Sequence, residues 1–173
     1  PVSGNIDIEL VEILTIKDVI MTDKPTTAGG SILTTGGELS IEAFQGGQEL
    51  GLRPSANVTF MVPTDAPDNN MGLFLGLEDA EGDVDWVPSD SLGVTDSIII
   101  VNDTSGGGWQ DYYYFDITGD SLGWINCDYF WNDPNPLTNI DVIPNSGHDH
   151  TNTNVYLYIQ SANSVIGSWY NVD

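Results

Sequence analysis

The chain has almost no cations. Lys17, Lys24 and Arg53 stand against 26 aspartates and glutamates, and the formal net charge is -23. Binding nucleic acid requires cations that displace phosphate counterions, so nucleic acid is excluded as a partner, and an anionic membrane surface repels the chain. Partners are expected to be cationic, neutral or metal ions. At low salt, self-repulsion costs stability, which a salty or calcium-containing medium relieves. Cysteine is nearly absent too. Cys127 alone cannot form an intramolecular disulfide, so cysteine usage leaves the compartment unread. No apolar run approaches the length of a membrane span. Long helical periodicity is missing. The sequence begins at Pro1 rather than Met, which fits a processed, exported chain or an excised domain.

What is present is a β pattern. With 173 residues, 40% of them hydrophobic, the chain has enough apolar material for a folded core. Residues 6–20 are rich in β-branched side chains. They alternate at Ile6, Ile8 and Leu10 and shift phase at Val11 and Ile13, which reads as a bulged strand or two kinked strands. Residues 39–44 alternate and lead through Gln45-Gly46-Gly47-Gln48 into 49–52, a hairpin signal. Further strands are expected at 58–62, 73–77, 84–87, 97–101, 112–116, 123–127, 140–143, 155–160 and 165–170. This spacing predicts an all-β, antiparallel β-sandwich. Residues 1–173 read as one unit, and the polar loop 64–70 is the place for a seam if there are two closely packed subdomains. In 123–127 and onward, alternation puts Trp124, Asn126 and Asp128 on one face, with Ile125 and Cys127 turned to the core.

Two stretches carry a resemblance. One runs Gly29-Gly30-Ser31-Ile32-Leu33-Thr34-Thr35-Gly36-Gly37-Glu38-Leu39-Ser40-Ile41-Glu42-Ala43 and continues to Val62-Pro63. The other is Leu122-Gly123-Trp124-Ile125-Asn126-Cys127-Asp128-Tyr129-Phe130, and Asp85-Trp86-Val87-Pro88 lies between them. Together they resemble exported surface β-sandwich proteins of Bacteroidota, and the first is loosely similar to the ZU5 type of sandwich. The resemblance spans roughly residues 5–160. It implies cell-surface placement and brings no enzyme activity. The His-Phe-Ser sequence at which some ZU5 proteins cleave themselves is missing here.

Candidate chemistry is sparse. A Ser or Cys nucleophile needs a base, usually His. His148 and His150 sit in a polar loop around Asp149, and two such ligands do not close a tetrahedral metal site. Cys127 lies in an apolar strand pattern, where free cysteine is a small buried hydrophobe. Calcium is the better metal candidate, with Asp79, Glu81, Asp83 and Asp85 in one dense acidic turn after Glu78. Calcium takes six to eight oxygens, although the spacing is not that of an EF-hand. A glycosidase would set two carboxylates about 5 or 9 Å apart across a sugar, and carboxylates are too plentiful here to point to one. Aromatic rings are more informative. Trp109 lies beside a glycine-rich turn. Tyr112, Tyr113 and Tyr114 cannot all face one side of a strand, so at least one points outward. Trp109, Tyr112 and Tyr114 are the candidates for stacking on a sugar. Asn57-Val58-Thr59 and Asn102-Asp103-Thr104 match the N-glycosylation pattern. Ser91, Ser97 and Ser121 follow Asp and precede Leu or Ile, the short acceptor pattern for O-glycosylation of exported Bacteroidota proteins.

The functional expectation is a non-enzymatic extracellular or cell-surface protein, as a subunit of a layer, sheath or fibre or as an adhesin domain. Its partners are further copies of itself or other surface proteins. The alternative is a carbohydrate-binding module that takes polysaccharide on Trp and Tyr. A secreted hydrolase comes third. No cofactor other than calcium is suggested. The terminal strands are well placed to join a neighbour's sheet, with Asp7 and Glu9 on the outward face of the first.

Overall fold

The glycine-rich stretch near residue 30 opens into a long strand that organises the rest. In the computed structural model, which describes residues 3–54, 56–80, 82–92, 98–105, 109–118, 122–135, 138, 140–149 and 151–167, the elements follow in this order. They are β1 (Asp7–Ile13), α1 (Ile16–Thr22), β2 (Thr27–Ala28), β3 (Ser31–Gln45), β4 (Gln48–Glu49), β5 (Asn57–Thr64), β6 (Gly72–Glu78) and β7 (Val84–Pro88). After these come β8 (Ile99–Asp103), β9 (Gln110–Thr118), β10 (Gly123–Phe130), β11 (Tyr156–Ile159) and β12 (Ser164–Gly167). All pairings among the described residues are antiparallel. The large sheet has the order β1-β3-β10-β6-β7, with β2 and β4 also paired to β3. The small sheet has the order β5-β9-β8, and β11 pairs with β12. The protein is an antiparallel β-sandwich. Among the described residues, no helix is long and apolar enough to cross a membrane.

The two sheets share one core. Leu39, Leu73, Ile125 and Cys127 of the large sheet meet Phe60, Val62, Tyr113 and Phe115 of the small one. Burying a side chain of this size contributes about 1.5–3 kcal/mol, so this layer supplies most of the hydrophobic stabilisation. The expectation for β10 holds, since Ile125 and Cys127 do face this core. The loop 64–70 crosses from β5 in the small sheet to β6 in the large one.

The opposite face of the large sheet is buried as well. Helix α1 and the β11–β12 hairpin cover it, with Ile13, Val19 and Val165 at the centre. Leu33, Phe74 and Trp86 form an adjoining cluster under β2. The hairpin is fastened by polar groups. Thr26 Oγ1 lies 2.7 Å from Ser164 Oγ, and the Val165 N–H donates to Thr26 Oγ1 at 2.8 Å. The Asn163 amide donates to the Thr35 carbonyl at 2.9 Å.

Three expectations are corrected. Residues 16–22 form a helix, not the second half of a kinked strand. Thr15 caps it, its hydroxyl accepting the Asp18 N–H, and Asp23 ends it in the left-handed region. Ile16, Val19 and Ile20 make a helical stripe against Val165. Residues 140–143 form no strand. Ile140, Val142 and Ile143 are exposed, and Pro144 follows. The hairpin at Gly46-Gly47 is present, with both glycines at positive φ as its two-residue turn requires. Its second strand, however, is only Gln48–Glu49.

One irregularity matters for the site. Asn126 pairs with Glu38 but Asp128 pairs with Thr35, so Gly36 and Gly37 together oppose Cys127 in a β-bulge. Gly37 has φ +131°, and a Cβ on Gly36 would meet Tyr113 Cε2 at 2.9 Å and the Cys127 carbonyl oxygen at 3.0 Å.

Candidate functional site

Four features of the surface and interior could serve a function. The first is the free edge of the large sheet. β1 pairs with β3 from Asp7 opposite Phe44 to Ile13 opposite Glu38, and its other edge has no strand partner among the described residues. Ile6, Ile8 and Leu10 are 44%, 60% and 54% exposed. Ile8 and Leu10 share the face of Leu39 and Ile41, which looks toward the small sheet. That sheet ends at β5 and stops short of β1. Between β1 and β5 lies a cleft of 270 Å³ with Leu10, Leu14, Ile41 and Val58 in its walls. Asp7 and Glu9 do point away from this face, but the apolar residues beside them are exposed as well.

The second feature is the outer face of the small sheet. Tyr113 is fully buried, and its hydroxyl accepts the Asp68 N–H at 2.9 Å. Tyr112 and Tyr114 therefore both point outward. Met61 and Ile99 flank Tyr114 on the neighbouring strands, and Pro63 and Val101 flank Tyr112. The two rings thus lie on one outward sheet face with apolar neighbours. Trp109 is 72% exposed, and its indole N–H donates to Asp111 Oδ1 at 3.2 Å beside the start of β9.

The third is an acidic cleft of 640 Å³ between the β6–β7 turn and the β11–β12 hairpin. Asp79, Asp83 and Asp85 line one side, and Asp23 and Tyr156 line the other. Asp79 Oδ1 accepts the Asp83 N–H at 2.9 Å, and Asp85 Oδ1 accepts the Gly29 N–H at 3.2 Å. One of these carboxylates therefore closes its own turn, and another ties β7 to the Gly29 backbone. Among the described residues, no three acidic, histidine or cysteine side chains converge to hold one metal ion. Glu81 lies outside the described residues. So do Ser97, Ser121 and His150, while Ser91 is exposed at the end of a short 3₁₀ turn. His148 is exposed, with Thr153 as its neighbour. The Cys127 thiol is sealed in the core, where burial and then the Asp128 charge push its pKa well up. It is no nucleophile.

The fourth feature was not legible in the sequence. Glu38, Asn126 and Asp128 lie side by side under the hairpin, all fully buried. The Asn126 amide donates to Asp128 Oδ2 at 2.8 Å. Both oxygens of Glu38 and Oδ1 of Asp128 have no hydrogen-bond partner. Burial, then the Asp128 charge, raises the pKa of Glu38, and Lys24 opposes this. Burial raises that of Asp128 against hydrogen bonds from Thr35, Asn126 and the Gly36 backbone. Charged carboxylates without partners are costly in such a place, so burial shifts both groups toward the protonated form. Lys24 itself donates to the Gly82 carbonyl and lies 5.2 Å from the Trp124 ring centre.

No family model, curated protein or solved structure matches the chain. Any functional reading therefore rests on these four features.

Proposed function

We propose that the chain is a non-enzymatic surface subunit, extracellular in location, that assembles through the free edge of its large sheet. The observation that carries this reading is the exposed apolar stripe Ile6-Ile8-Leu10 along a strand whose outer edge has no strand partner among the described residues. Sheets guard such edges with lysine, proline or bulges, and the described part of β1 has none of these. Its only guards are Asp7, Glu9 and Glu12.

The magnitudes set the kind of assembly. Burying a whole Ile or Leu side chain gives about 1.5–3 kcal/mol, so three half-exposed ones supply roughly 1 kcal/mol each. Two facing stripes then supply about 6 kcal/mol, against an association cost of about 4–15 kcal/mol. Ladder hydrogen bonds must add to this, and the acidic guards must be screened or bridged. Association is therefore weak, concentration-dependent and strengthened by salt or calcium.

Sedimentation velocity across rising salt and calcium tests it. Oligomers are expected to grow with screening and to vanish in Ile8→Lys and Leu10→Lys. Loss of oligomer from a still-folded chain lacking residues 1–10 would agree. A monomer under every condition sinks the proposal.

A second reading has its own observation. Tyr112 and Tyr114, half-buried on one outward sheet face, suit stacking against a polysaccharide. Retention on an insoluble polysaccharide that is lost in Tyr112→Ala and Tyr114→Ala supports it. Unchanged retention in both variants, or none in the parent, rules it out.

A further inference from the structure

The cleft between β1 and β5 shares Leu10 with the exposed stripe of β1, but its other wall is the open edge of β5, and it has the form of a missing strand. β5 pairs only with β9, so its other backbone edge is open among the described residues. Residues 58–63 of β5 line the cleft in unbroken succession. Opposite them stand Leu10 and Leu14, with Ile41 behind. Leu10 and Leu14 are 54% and 42% exposed. Pro63 sits near the end of β5, a position that a strand with a free edge tolerates. The small sheet has three strands and the large one five along its main path. One added strand beside β5 would cover the part of β1 that the small sheet leaves bare.

We infer that this cleft binds an extended segment of another protein by strand addition to β5. The segment alternates apolar and basic residues. Alternation follows from the geometry. A strand beside β5 turns every second side chain inward onto Leu10, Leu14 and Ile41 and the others outward. The basic character follows from charge. The wall includes Glu12, Asp116 lies on the neighbouring strand opposite Thr59, and the whole chain carries a net charge of -23. A second copy of the chain would bring the same charge to the cleft and would need the screening that assembly at β1 needs. A lysine- or arginine-bearing strand gains both steering and neutralisation. The inference rests on the reading of this chain as a surface module that works by pairing sheet edges, but it uses the opposite wall of the cleft.

The probe is a synthetic peptide of eight residues, the length of β5, alternating valine and lysine. Two controls accompany it. One has the same composition with the valines and lysines in separate blocks, and the other alternates valine and glutamate. Binding is followed by fluorescence anisotropy at a concentration where sedimentation gives a monomer. Amide hydrogen exchange of residues 58–63 is read in parallel. The alternating valine–lysine peptide is expected to bind and to slow exchange in β5. Leu10→Asn, an uncharged polar change at an exposed position, is expected to weaken it roughly ten-fold or more. Equal binding of the block peptide would show mere charge attraction and overturn the inference. So would binding that leaves β5 exchange unchanged, or no binding at all. A chain that never self-associates but binds the peptide defeats only the assembly proposal. A chain that assembles with salt but ignores the peptide defeats only this one.

Discussion

Glu38→Met tests the layer that covers β3. Both carboxyl oxygens of Glu38 are buried without a partner, and an unsatisfied buried polar group costs about 1–3 kcal/mol. Methionine is similar in length and needs no hydrogen bond. Ile13 lies directly across the ladder, so the new side chain meets an apolar neighbour. The substitution is expected to stabilise the fold by about 2 kcal/mol at pH 7. For a chain of this size that raises Tm by roughly 4–8 °C. The pH dependence has a definite sign. Burial and the Asp128 charge hold the Glu38 pKa well above 4.5, its ordinary value. The folded chain thus keeps a proton at pH values where the unfolded chain has released it. The stabilisation tied to that proton is complete below pH 4.5. It is lost progressively as pH rises from there toward the folded value. The advantage of the variant is therefore smallest near pH 4, where only the unsatisfied neutral carboxyl is removed, and widens toward pH 8. Asp128 is raised too and remains in the variant. Comparing the two proteins at each pH removes the general repulsion of the acidic chain and reads Glu38 together with its coupling to Asp128. Urea unfolding at a series of pH values makes the measurement. A variant less stable than the parent at pH 7, or a difference that does not change with pH, refutes the reasoning.

Three other outcomes are expected. Gly76→Ala places a Cβ 2.5 Å from Trp124 Cβ and 2.7 Å from Val84 Cγ1, and it should destabilise by about 1–3 kcal/mol in urea unfolding. Cys127 should resist thiol reagents in the folded protein and react fully in denaturant, whereas rapid labelling of the native chain would place it wrongly. Asp79 and Asp85 already accept backbone N–H groups, so magnesium and calcium should raise Tm equally at matched ionic strength. A rise specific to calcium would assign the acidic turn a site.

The apolar alternation of β5, β9 and β10 was legible because each has one face in the sandwich core. Tyr112-Tyr113-Tyr114 divided as a strand must divide them. Residues 16–22 were misread because Ile16, Val19 and Ile20 are β-branched, and in so short a segment strand composition outweighs a helical stripe. The polar cluster was hidden for another reason. Glu38, Ser40 and Glu42 alternate with Leu39, Ile41 and Ala43 as they would on a sheet with one wet face. Only the hairpin from the far end of the sequence makes that face an interior. The bulge was equally hidden, since Gly36-Gly37 reads as a turn until the partner strand is known. The bareness of β1 depends on how far the small sheet extends, which no local pattern records.

The fastening of the β11–β12 hairpin has a kinetic consequence. Thr26 and Ser164, which clamp it, are 138 positions apart, and Asn163 reaches Thr35 across 128. Contacts this distant form late, because the loop they close costs entropy before anything repays it. Before the hairpin docks, β3 and β10 present Glu38 and Asp128 to water, where both are ionised at neutral pH. Docking then removes the water, which shifts both carboxyls toward the protonated form. The last phase of refolding should therefore consume protons and slow as pH rises. A pH-indicator dye in stopped-flow refolding would register the uptake in that phase, and a pH-independent final phase without uptake would contradict the order of events.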